Sequence, residues 1–469
     1  GEAFKGGGRR QRLADMLTVV AYNTARGHPR SLIHFFVAFG LDRLDLETAA
    51  HRFATLYNAA SNAGKLLLLD VLLYALDWDV GGVNIAAVLL GKPQFTQWGA
   101  FEEVVRRIEE LVSHLHGIER AYVVAPLCPQ LATQYTSFGE LNKAVEYAKE
   151  ALKALEELWN AYEEDKALTE EKLWPYLELR RVKPDLEKEL NELSQQVYYR
   201  VAHIYMHVDE LDKAVEYAEK ACVIAKKLGY VYYEALSCSL LPRLKAVRSG
   251  ALPLDEFVEL WQRALQAIEW LGAGAIAATL GHYVVALASV GRLSDMESAL
   301  EEWGWALELH PDASALTYGV LSLFDSRYLE KAVGHLPERA RANLSRLPNA
   351  LHDAVEAGLF AKDPEIAMTA METLTLVYGR DVVKVLLDIA SDSAKLFLSA
   401  LVGLAYCKRG EEWGLRLAKE TSRMGARLFK GLRGRLFGEL AKVLENPTMG
   451  NCIVDEVTRV VFKLYYSHI

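Results

Sequence analysis

His203 and His207 stand four residues apart, a spacing that puts two imidazoles on one face of a helix, where they can share a metal ion. Asp209 and Glu210 follow closely. The flanking residues belong to a helical pattern that recurs along the chain, so polar lining of a binding face is preferred to a metal site. His114 and His116 are two apart and fall on different helix faces, and there is no H-E-x-x-H. Gly272-Ala-Gly274-Ala-Ile-Ala277 imitates a dinucleotide-binding turn, but it follows a helical pattern rather than a strand, and tight helix packing accounts for it. A phosphate-binding loop needs G-x-x-x-x-G-K-[ST], so that backbone N–H groups wrap the phosphates and a hydroxyl holds magnesium. Gly64-Lys65 is followed by Leu66, and Gly91-Lys92 by Pro93, so neither serves. The acids Glu163-Glu164-Asp165 and Glu170-Glu171 read as a solvated face. These residues lead to the expectation of a protein that is not an enzyme, with no catalytic residue, metal or cofactor of its own.

Charge adds one further candidate. Across 469 residues, 53 Lys and Arg stand against 62 Asp and Glu, a net −9 that argues against a general nucleic-acid binder. The stretch Lys408–Lys442 is nevertheless basic. Arg423, Arg427 and Lys430 share a helical face, with Arg433 and Arg435 following, as an anion patch that nucleic acid would fit. Five cysteines, Cys128, Cys222, Cys238, Cys407 and Cys452, form no CxxC pair and are odd in number. They read as buried free thiols in a reducing, cytoplasmic compartment. The most apolar stretch, Leu66 to Leu90, is broken by Asp70, Asp77 and Asp79, too many charges for a membrane span. The first residues, GEAFKGGGRRQRLADML, have no apolar core followed by a cleavage site.

The elements that must position these residues are helices. In Leu141–Trp159, apolar Leu141, Val145, Ala148, Leu152, Leu155 and Trp159 recur at three- and four-residue steps between charged residues. Similar patterns run through Asp185–Met206, Glu210–Lys227, Leu254–Leu271, Asp295–Leu309, Asp363–Val377 and Glu411–Phe429. The Val-rich run Ala121–Ala125 is ambiguous, and the tail Ile453–Tyr466 fits a helix better than a strand. Turn signals at Gly139, Gly229, Gly250, Gly291, Asp363-Pro364 and Gly410 break the chain into helical hairpins. Leu131–Leu152 and Val201–Cys222 align without gaps over E-L-x-K-A-V-E-Y-A, at an offset of 70 residues. Small residues at Ala132 and Ala144, and again at Ala202 and Ala214, let paired helices approach closely, with Tyr135 and Tyr205 beside them. The expected organisation is all-α, with a small helical module over 1–100, a helical-repeat array over 101–446 and a capping helix over 447–469.

The two matched segments resemble tetratricopeptide repeats: the small residue and Tyr on the first helix, Gly139 or Asp209 at the turn, and paired alanines on the second. Looser copies lie at Tyr283–Pro311 and Val402–Ser422, while Asp363–Tyr378 also resembles a HEAT-type helix. The resemblance implies a right-handed superhelix whose concave groove takes a protein or peptide partner. Gln134, Thr136, Tyr198, Tyr199, His203, Met206 and His207 would line that groove. Leu13–Phe39, with its Gly27-His28-Pro29 break, is similar to the helical subdomain of STAND and archaeal AAA-type ATPases, and Gly64–Gly91 to their winged helix. That resemblance implies Gly27 and Pro29 near an adenine, with the nucleotide-binding core before Gly1 or on another chain. The leading expectation is an interaction scaffold or sensor. The alternatives are the regulatory portion of such an ATPase and, third, a nucleic-acid-associated adaptor.

Overall fold

A computed structural model of the chain describes residues 8–11, 13–15, 17–18, 46–77, 97–178, 185–269, 271–445 and 452–469. Among these the secondary structure is helical, with no strand. Contacts divide the chain into two compact units, Gly1–Tyr205 with Glu216–Ser237, and Met206–Val215 with Cys238–Ile469. Gly27 and Pro29 lie outside the described residues, as does Gly64–Gly91 beyond Asp77.

The first unit contains α1 (Leu46–Ala59), α2 (Asn62–Asp77), α3 (Gln97–Val112), α4 (Gly117–Ser137), α5 (Leu141–Glu164) and α6 (Lys166–Glu178). Most of α7 (Leu186–His207) and α8 (Leu211–Leu228) belongs to it too. Asp15 fixes the start of α2: its carboxylate accepts from both the backbone N–H and the hydroxyl of Ser61, each at 2.8 Å. The ambiguous run Ala121–Ala125 lies inside α4, which also accommodates Pro126 and Pro129. Packing outweighs their helix-breaking cost here, since α4 is buried along most of its length. Phe101 of α3 meets Tyr135 of α4 edge-on at 4.9 Å, and Tyr135 stacks on Tyr147 of α5 at 5.4 Å.

Besides the α7–α8 turn, the second unit takes in the end of α9 (Val231–Ser249), α10 (Leu254–Gln266), α11 (Ala273–Ser289), α12 (Leu293–Leu307) and α13 (Pro311–Leu321). Short helices α14 (Leu329–Gly334) and α15 (Glu338–Arg341) lead to α16 (Leu347–Ala357), α17 (Pro364–Tyr378) and α18 (Arg380–Ala390). The chain then forms α19 (Ser393–Lys408), α20 (Glu412–Leu428), α21 (Gly431–Leu444) and α22 (Asp455–His468). The tail is thus a helix, and it is central: Val461, Leu464, Tyr465 and Tyr466 are all fully buried. The carbonyls at its C-terminal end, which have no partner within the helix, are met from other helices. Arg243 Nε donates to Tyr466 O at 2.6 Å, Arg433 Nη2 to Ser467 O at 3.3 Å, and His282 Nε2 lies 3.1 Å from Ile469 O. The Tyr466 hydroxyl donates in return to His282 O at 3.1 Å.

One turn geometry recurs four times, in α4–α5, α7–α8, α11–α12 and α19–α20. Its pivot is a left-handed residue: Gly139 (φ 76°), Asp209 (φ 66°), Gly291 (φ 78°) and Gly410 (φ 92°). In each case the pivot N–H bonds back to the carbonyl three residues earlier, at 2.9–3.1 Å, and the next helix starts two residues on. After the three glycines, the following N–H also reaches the carbonyl five residues back. This closes the preceding helix, and glycine fills the pivot because it lacks the Cβ that penalises positive φ. Asp209 takes the pivot without that freedom, as Asp and Asn do more readily than other residues.

The five cysteines are not all free thiols. Cys407, near the end of α19, is bonded to Cys452 just before α22, with a Cα–Cα separation of 6.1 Å. Cys222 and Cys238 are also disulfide-bonded, which leaves Cys128 as the free, buried thiol. Reading the cysteines by local spacing fails because Cys407 and Cys452 are 45 positions apart and are brought together only by helix packing. The reducing, cytoplasmic expectation loses the support it drew from them, since disulfides persist mainly in oxidising settings or in hyperthermophile proteins. No helix among the described residues is long and apolar enough to cross a membrane.

Candidate functional site

The residues expected to line a groove differ in their accessibility. Gln134 is buried, and its amide donates to Leu73 O at 2.9 Å, so it locks α4 against α2. Met206 is fully buried as well. Both are corrections, with one reason: a helix periodicity identifies a face, and the neighbouring helices decide which face is covered. Thr136 is half-buried and returns its hydroxyl to Ala132 O at 2.9 Å, a bond within its own helix. Tyr198, Tyr199, His203 and His207 are all half-buried. Tyr198 stacks on Tyr217 of α8 at 5.8 Å, and the Tyr199 and His203 rings meet edge-on at 4.7 Å. No cluster of three or more His, Cys, Asp or Glu side chains able to hold a metal occurs among the described residues.

The basic stretch is dispersed in the same way. Arg433 is turned inward, bonded through Nη1 to Ser393 Oγ at 3.1 Å and through Nη2 to Ser467 O, and burial pulls its pKa down to about 10. It therefore leaves the anion patch; its guanidinium is needed at the end of α22. Arg435 is on the surface but chelated by Asp209 (2.5 and 2.9 Å) and Glu439 (2.5 Å). Arg423 pairs with Glu420 at 3.0 Å and Glu445 at 3.5 Å. Of the five cations, Arg427 and Lys430 are the ones exposed with no ion pair to a described residue. Two such charges give a weak, salt-sensitive attraction.

Comparison with family models, with curated proteins and with solved structures finds no match to this chain. The geometry of its own residues therefore carries the argument, and the feature that departs furthest from expectation is α17. Its ends are sharply defined. Asp363 accepts from the Glu365 N–H at 2.9 Å, Pro364 opens the first turn, and Gly379 (φ 89°) stops the helix. The helix packs against α16 and α18, and the Tyr378 hydroxyl bonds Asp353 of α16. Yet only Ala370 and Leu374 are buried. Ile366 is 49% exposed, Met368 58%, Met371 40%, Leu376 89% and Val377 63%, and Leu387 of α18 adds 39%.

A helix with apolar residues on several sides normally buries more than one stripe, whereas this one shows most of its circumference to solvent. Large apolar side chains exposed in this number on one helix mark an interaction site more often than scattered single residues do. The periodicity of Asp363–Val377 identified the helix but not its surplus. The available signal was that apolar residues occupy more positions than one buried stripe can use.

Proposed function

We propose that the chain is a non-catalytic protein-interaction scaffold of tetratricopeptide-like hairpins, and that α17 is its principal docking face. The observation that carries this is the exposure of Ile366, Met368, Met371, Leu376 and Val377 on a helix whose termini are firmly capped. Fully burying such a side chain gains roughly 1.5–3 kcal/mol, so covering this set supplies several kcal/mol towards binding. Thioether side chains adapt to differently shaped partners, which suits Met368 and Met371 to such a surface. The partner expected is a protein presenting an apolar helix or extended segment, because α17 offers few charges to satisfy polar groups. The four repeated turns support the scaffold reading, as they make helical hairpins out of one local rule.

The test is quantitative affinity capture with wild type, with Met371→Glu/Leu376→Glu, and with Tyr199→Ala/His203→Ala. All three should keep the helical circular dichroism signal. The proposal expects a discrete partner set to be lost with the α17 pair and kept with the α7 pair. Loss with the α7 pair alone would return the docking face to the expected groove.

A further inference from the structure

α3, α4 and α5 flank a half-open cleft of ≈ 490 Å³ in the first unit, within the size range of small-molecule sites. Its walls are aliphatic: Ile108 and Val112 from α3, and Val124, Leu127 and Leu131 from α4. Cys128, buried, contributes the one thiol to the lining, with Sγ 3.9 Å from Glu150 Oε2. Burial first, and then the Glu150 charge, push that thiol up, so at neutral pH it is an uncharged, weakly polar wall.

The polar lining is lopsided. Glu109, Glu146 and Glu150 bring three carboxylates, against the cations Arg120 and Lys143. The Lys143 ammonium lies over the Tyr135 ring at 5.3 Å and keeps its charge. The Tyr147 hydroxyl donates to Glu109 at 3.0 Å. An aliphatic-walled cleft that carries three carboxylates against two cations favours a positive head on an apolar body. A carboxylate ligand would meet three like charges against two opposite ones.

We infer that this cleft binds a small organic ammonium ion, its aliphatic or aromatic body held between α3 and α4 and its charge placed among Glu109, Glu146 and Glu150. The site lies in the first unit and does not depend on α17, so the scaffold reading and this one stand or fall separately.

The experiment is isothermal titration of the full chain with three probes that share a body and differ in the head: 2-phenylethylamine, 2-phenylethanol and 3-phenylpropionate. The expected order of affinity is amine, then alcohol, then acid. Glu146→Gln/Glu150→Gln alters two exposed side chains and should leave the fold intact. It should weaken the amine by on the order of tenfold while sparing the alcohol, since charge-assisted contacts are stronger than neutral ones. Val112→Trp, at a half-buried wall position, should block amine and alcohol together. Equal binding of amine and acid, amine binding indifferent to both variants, or no heat from any probe at millimolar concentration would each overturn the inference.

Discussion

His282 is buried beside the end of α22, His468 is the half-buried last residue of that helix, and both are held neutral. Burial is the main cause for each; the Arg243 charge adds to it at His282, and Arg433 and then Arg243 at His468. His282 is pushed down to about 3, and His468 well below its ordinary value. Unfolding releases both imidazoles to titrate near 6.5, so below that pH the unfolded chain binds more protons than the folded one. Stability is therefore intact above about pH 6.5 and falls as pH drops, each histidine contributing about 1.4 kcal/mol per pH unit. The midpoint of urea unfolding should decline steadily from pH 7 to pH 5. His282→Gln, which keeps a donor toward Ile469 O, should roughly halve that slope even if it lowers stability at pH 7. An unchanged slope would remove His282 from the account.

At the scale of the element, α19 and α20 approach closely through facing glycines. A Cβ on Gly403 would sit 2.6 Å from Gly414 O, and one on Gly414 would collide with Gly403 O. Gly403→Ala must push two backbones apart, at a cost of roughly 1–3 kcal/mol, and thermal unfolding should show it. Gly334→Ala serves as the control, since a Cβ there meets nothing and helix propensity favours it. Helix positions and turns were largely legible in the sequence, because period, Gly pivots and the Asp363-Pro364 start are local signals. The self-similarity at 70 residues even placed Gly139 and Asp209 at equivalent pivots, and both have positive φ. Burial of Gln134, Met206 and Arg433 was not legible, since it depends on which distant helix covers a face. The same is true of α17, whose exposed side no described helix covers, and of the α3–α4–α5 cleft, which exists only once three helices are assembled.

For the whole molecule, covalent closure and recognition are the two consequences. The Cys407–Cys452 bond closes a span of 45 positions. In the chain-entropy picture, such a closure restricts the unfolded state by about 4 kcal/mol. Cys407→Ser/Cys452→Ser should lower the unfolding midpoint by an amount of that order or somewhat less, and reductant should then have a smaller effect than on wild type. Recognition by α17 is the central claim, and site-specific photo-crosslinking tests it most directly. A photoreactive residue at 376 in the full chain is compared with one at the exposed position 157 of α5, in extract from the source cells. The account predicts a discrete protein adduct from 376 that Met371→Glu abolishes, and none from 157. No discrete adduct from 376, or the same adducts from both positions, would contradict it.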